Sequence, residues 1–157
     1  MRFGLIVAAA MMLAPAARAQ ESGCPLLQKI VGGAPAGFPE LRGDELDNGW
    51  FDTGLYMNDA DDCAVKIGDH NLFYCAWWFD TPAAANTLAT ALSGAATQCL
   101  AGWTLEETTG QKSSNNLVVL KGVTLSGAGA HAGTHILVFS ESLEDSQESQ
   151  VTIEVRR

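Results

Sequence analysis

Basic side chains are scarce in this 157-residue chain: nine Lys and Arg stand against eighteen Asp and Glu, with three His. Phosphate backbones are held by clustered Lys and Arg, so the shortage argues against a nucleic-acid partner. It argues equally against anionic membrane surfaces. Long apolar runs are also missing. The single one, Leu5 to Leu13, is shorter than the roughly 20 residues a spanning helix needs, so no membrane span is expected. No C-x-x-C occurs among the four cysteines, which speaks against a thioredoxin-like redox site or a zinc ribbon. No serine lies in a G-x-S-x-G elbow. His131 and His135 are four apart, but Gly133 interrupts them and no Glu follows His131 as a zinc-protease helix requires. Asn58 to Asp62 has neither the glycine nor the distant Glu of a calcium loop and reads as a solvated hairpin turn. The glycine-rich stretch Gly127 to Gly133 leads into no helix, so it is not a phosphate cradle. The sequence therefore calls for no cofactor and no metal.

What is present begins with an address. Arg2, the apolar run Leu5 to Leu13 and the small-x-small triplet Ala17-Arg18-Ala19 form a signal peptide, with cleavage expected between Ala19 and Gln20. A lipoprotein would need Cys immediately after the cut, and Cys24 lies too far on. The expected product, residues 20–157, is one domain that is exported to the periplasm or secreted. Losing Arg2 and Arg18 leaves seven basic residues against eighteen acidic, a net charge of −11. Such a balance keeps a protein soluble and leaves a basic partner open. Oligomeric state is left open as well.

Two hydrophobic periods alternate along the domain. Cys24 to Val31 reads as a short helix ended by Gly32-Gly33, and Ala34 to Asn48 as an irregular surface connection. From Trp50 the period is two: Trp50 to Met57, Cys63 to Ile67 and Leu72 to Phe79 form a three-strand meander. Asp80 or Thr81 caps a second helix, with Pro82 in its first turn and Leu88, Leu92, Ala95 and Cys99 on one stripe. Gly94 either weakens that helix or permits close packing on the sheet. Thr104 to Glu107, Leu117 to Leu125, Thr134 to Ser140 and Val151 to Val155 are strand-like again. The predicted fold is α+β: an antiparallel sheet of about six to seven strands, in the order helix, three strands, helix, three to four strands, with the helices on one face. This arrangement is similar to the two-layer folds of secretion chaperones, a likeness of fold that carries no function.

The stretch Asn71 to Asp80 holds five aromatic rings and a cysteine. Alternation sends Phe73, Cys75, Trp77 and Phe79 to one side, which should face the helices. Tyr74 and Trp78 go to the other side, where the first strand adds Trp50 and Tyr56 and Lys66 projects between them. These four amphipathic aromatics are the candidate binding residues, because Trp and Tyr are enriched where partners meet. A three-residue turn, Gly68 to His70, sets Cys63 opposite Cys75, and opposed Cα atoms about 4.5 Å apart lie within disulfide range. Cys24 and Cys99 then form the second bridge. Cys75 with Cys99 and Cys24 with Cys63 is the other arrangement.

Cys63, Tyr74-Cys75-Ala76-Trp77 and Cys99-Leu100-Ala101-Gly102-Trp103 together resemble a pattern in small, uncharacterised exported proteins of Gram-negative bacteria. The matched stretch runs from about Asp62 to Trp103; the resemblance implies a periplasmic address and assigns no activity. The leading expectation is a non-enzymatic interaction module of inhibitor, immunity or accessory type, docking a basic exported protein through the aromatic face. The alternative is a small-ligand-binding protein or hydrolytic enzyme with a site near His131 and His135.

Overall fold

A computed structural model describes residues 19–21, 23–57, 59–110, 117–143 and 148–157. The signal-peptide expectation therefore lies almost wholly outside the described residues, as do Asn58 and the separators 111–116 and 144–147.

The chain runs β1 (Ala19–Glu21), α1 (Cys24–Gly33), a 3-10 turn (Ala34–Ala36), β2 (Glu45–Asp47), β3 (Trp50–Asp52), β4 (Leu55–Met57), β5 (Asp62–Lys66) and β6 (Leu72–Phe79). It continues with α2 (Pro82–Cys99), β7 (Thr104–Thr108), β8 (Leu117–Ser126), a 3-10 turn (Gly129–His131), β9 (His135–Leu143) and β10 (Ser149–Arg156). Eight of the strands form one antiparallel sheet in the order β2-β3-β5-β6-β10-β9-β8-β7, while β1 and β4 pair in parallel beside it. The class is α+β. Two details of the expected architecture are corrected. The main sheet has eight strands rather than six to seven, and five strands rather than three separate the two helices, with one more before the first.

Local chemistry explains both differences. Asn48 and Gly49 have φ of 49° and 78°. Positive φ at both central residues is what a two-residue type I′ hairpin requires, and Asn-Gly supplies it most readily. Asp47 pairs with Trp50 across that turn, so the acidic run read as a surface connection contains an edge strand. Gly49 has a second reason to be glycine: a Cβ there would lie 2.5 Å from the Ile67 carbonyl oxygen. Beyond β3, the expected strand Trp50 to Met57 breaks in two. Thr53 N–H donates to Asp52 Oδ1 at 2.8 Å and Leu55 N–H to Thr53 Oγ1 at 3.2 Å. These side-chain bonds replace ladder bonds and turn the chain. β4 leaves the main sheet, yet Leu55 and Met57 stay buried, so the burial period outlives the strand.

The core lies between one face of the sheet and the helices. α2 packs on β9, β10, β8 and β6, and α1 packs on α2. The Thr81 hydroxyl accepts from Ala84 N–H at the start of α2. The buried side of α2 is Ala85, Ala89, Leu92, Ser93 and Ala96. That stripe is rotated slightly from the expected one: Leu92 is shared, Leu88 and Cys99 are half-buried against the core, and Ala95 is exposed. Gly94 is exposed and a Cβ there would meet nothing within 4 Å, so close packing is not its reason. From the sheet, Val65, Phe73, Val155, Ile136 and Leu125 form one buried row across five strands, each at 1% exposure or less. Disulfides join Cys63 to Cys75, directly opposite on β5 and β6, and Cys24 to Cys99, tying α1 to the end of α2. No described helix is long and apolar enough to cross a membrane.

Candidate binding groove on the open sheet face

The helices cover one face of the sheet. Along the other runs a groove of about 620 Å³. Strand alternation decides what lines it. On β6, Phe73, Cys75 and Trp77 point into the core, so Leu72, Tyr74, Ala76 and Trp78 point into the groove. Register extends each of these positions into a row across the sheet. Tyr74 faces Ala64 on β5 and Glu154 on β10, and Glu154 faces Leu137 on β9. Trp78 faces Gln150, which faces Glu141. Ala76 has Asp62 on one side and Thr152 on the other, and Thr152 faces Phe139.

Three of the four predicted aromatics meet here. Trp50, delivered by the Asn48-Gly49 hairpin, sets its ring 5.6 Å from that of Tyr74, edge to face. Lys66 Nζ lies 5.1 Å over the Trp50 ring, a cation–π contact. Trp78 stands further along β6 and is 63% exposed, whereas its chain neighbour Trp77 is buried. The fourth, Tyr56, does not line the groove. The break at Thr53 puts it on β4, half-buried against the core.

Two acids at the start of β5, Asp61 just before it and Asp62 in its first position, tie β6 to the turn. Tyr74 O–H donates to Asp62 Oδ2, and Trp78 N–H donates to Asp61 Oδ2 at 2.8 Å. The sequence pattern alone presents these two carboxylates as part of a solvated turn. The missed signal is their position: the turn returns the chain to β6's far end, so acids there can reach β6.

Burial, reinforced by the bond to Asp62 and its charge, pushes the Tyr74 phenol well above its usual range. A neutral phenol is thus favoured in the folded state. The stability it contributes is present below the ordinary phenol value of about 10 and is lost as pH rises through the higher folded value. Tyr56 and Tyr74 are the two tyrosines of the chain, so Tyr56→Phe isolates the second. Absorbance titration of that variant should show tyrosinate appearing only well above the usual range, and adding Asp62→Ala should bring it down. Ionisation at the ordinary phenol value would contradict the Asp62 bond.

Two further carboxylates enter from the other strands. Glu154 is paired with Arg156, two residues on along β10. Burial pushes the pKa of its carboxyl above the ordinary carboxylate range; Arg156 draws it back and Glu141 raises it again. Glu141 is only 3% exposed. Its Oε2 accepts from Gln150 Nε2 at 2.9 Å, while Oε1 is enclosed and has no hydrogen-bond partner among the described residues.

The histidines lie elsewhere. His131 sits in the Gly129–His131 turn with its ring 5.8 Å from that of Trp103, and His135 Nδ1 lies 3.0 Å from Ser126 Oγ. His70 is exposed in the turn between β5 and β6. A second cavity of about 420 Å³ lies beside α1, and neither cavity is lined by a histidine. Among the described residues, no three His, Cys, Asp or Glu side chains are grouped to hold a metal ion. Set against protein families, curated proteins and solved structures, the chain matches none.

Proposed function

We propose that this is an exported, non-enzymatic binding module that docks a basic protein partner on the open face of its sheet. The observation that carries the reading is the uncovered groove, which combines Trp50, Tyr74 and Trp78 with Asp62, Glu141 and Glu154. Aromatic rings present negative faces to cations, and the protein already places Lys66 over Trp50 and Arg42 over Phe51. The excess of acidic residues would steer a basic partner toward such a surface. Export is supported by the leader-like residues 1–19 and by two disulfides, which persist in oxidising compartments. A periplasmic or secreted inhibitor, immunity protein or accessory subunit fits this description. The alternative of a small-ligand or hydrolytic site near His131 and His135 draws less support, because neither of the two cavities described above is lined by a histidine.

The test is capture of partners by the oxidised exported protein from an envelope extract, followed by purification of the main partner and measurement of its affinity. Trp78→Ala should weaken that affinity roughly tenfold or more, as removal of an interface Trp does. An unchanged affinity in both Trp50→Ala and Trp78→Ala would clear the face of this role.

A further inference from the structure

Resting on that reading, we infer that Glu141 and Trp78 form a subsite for one cationic side chain, a lysine ammonium or an arginine guanidinium, carried by the basic partner. Three features point to it. Glu141 is buried in the groove wall with one carboxylate oxygen unpartnered. A buried carboxylate normally gathers hydrogen bonds or a counter-charge, because leaving it short of them is costly. Here Gln150 satisfies one oxygen only, so the site is built to the stage of accepting one more donor. Trp78 flanks the same row of the sheet and is 63% exposed. Elsewhere on this protein, cations rest over aromatic rings: Lys66 over Trp50 and Arg42 over Phe51. Trp78 offers an indole surface of the same kind at the edge of the groove.

The cation's route follows from the packing. Oε1 is enclosed in the free protein, so a neighbouring side chain of the groove wall has to move before a cation reaches it. Trp78 is held by its backbone bond to Asp61 rather than by core packing of its ring, so its movement disrupts little. The incoming group then donates to Oε1 while its methylenes lie along the indole. A lysine fits a single unpartnered oxygen as a point donor, and an arginine would use one arm of its fork.

The experiment measures binding of hexa-lysine, hexa-arginine and, as a neutral aromatic-stacking probe, a chito-oligosaccharide to the oxidised exported protein. Glu141→Gln is compared with Glu45→Gln, which removes the same charge from the exposed edge strand β2. Binding of either basic peptide should fall at least about tenfold in Glu141→Gln and less than about twofold in Glu45→Gln. The thermal midpoint of Glu141→Gln should be unchanged or higher, since the substitution removes a buried charge with an unmet oxygen. Which peptide binds more tightly assigns ammonium or guanidinium. Equal losses in the two variants would mean unspecific charge attraction and overturn the subsite. A marked drop in thermal midpoint would make Glu141 structural and overturn it too. Binding of the oligosaccharide alone would replace the cation with a glycan. If Trp78→Ala loses the purified partner and Glu141→Gln does not, the docking face stands and the cation subsite falls.

Discussion

Replacing Cys24 and Cys99 together by Ala is expected to lower the stability of the folded protein by about 4–5 kcal/mol, the chain-entropy value for a bridge closing a loop of this length. The two cysteines are 75 residues apart, so their bond removes much of the unfolded chain's freedom. Both are half-buried, so the missing sulfurs leave little cavity to add to that figure. The consequence is concentrated in the helix layer. α1 has ten residues and no side-chain cap at Gly23, and an isolated helix that short is marginal in water. It is kept in place by Leu26, Leu27, Ile30 and Val31 and by its bond to α2. Domains of ordinary stability have only about 5–15 kcal/mol to lose, so the variant should be marginal at best. Urea unfolding of the oxidised protein and the double variant, followed by near-ultraviolet dichroism, measures the difference. A loss under about 1 kcal/mol would show that α1 is held by packing alone and that the unfolded chain gains little from release. The same arithmetic connects the bridge to the proposed address: in a reducing compartment the protein would forfeit this term, whereas an exported protein keeps it.

The sequence carried the meander of β3, β5 and β6 because side-chain alternation has a period of two and a slip of one residue would have turned Phe73 and Cys75 outward. Counting across Gly68 to His70 led to Cys63 opposite Cys75, and the strands pair in that register. The edges were harder to read. β2 is three exposed residues, Glu45 to Asp47, with no apolar alternation at all, and only the Asn48-Gly49 turn marks it. β4 was hidden for the opposite reason: its alternation continues that of β3 smoothly, and nothing in the pattern shows Thr53 bonding to its own neighbours. That single break removed Tyr56 from the groove. The remaining site was half legible. Trp50, Tyr74 and Trp78 follow from alternation on two strands. Glu141, Gln150 and Glu154 lie on β9 and β10, which are distant from β6 in sequence, and only the strand order β6-β10-β9 brings them alongside. Local pattern says which way a residue faces, but pairing of remote strands decides what it faces.

Phe73→Ala is the second large effect expected, about 3–5 kcal/mol, the usual cost of removing a fully buried phenylalanine ring. Phe73 has 0% exposure and its ring lies 6.2 Å from that of Phe38, which the segment after α1 delivers to the sheet. Val65 and Val155 flank it on β5 and β10, so a truncated side chain would leave a hole beside two strands whose ladder bonds keep them from collapsing inward. Five residues along the same strand, Trp78→Ala removes a larger ring. It should change stability by no more than about 0.5 kcal/mol, as surface substitutions do, because that ring is 63% exposed. The contrast separates the two tasks of β6: one side holds the domain together, and the other is offered to a partner. Urea midpoints of the two variants at matched pH supply the comparison. Should Trp78→Ala cost as much as Phe73→Ala, the indole would belong to the protein's own packing, and the open face would lose the residue on which its proposed recognition of a cation depends.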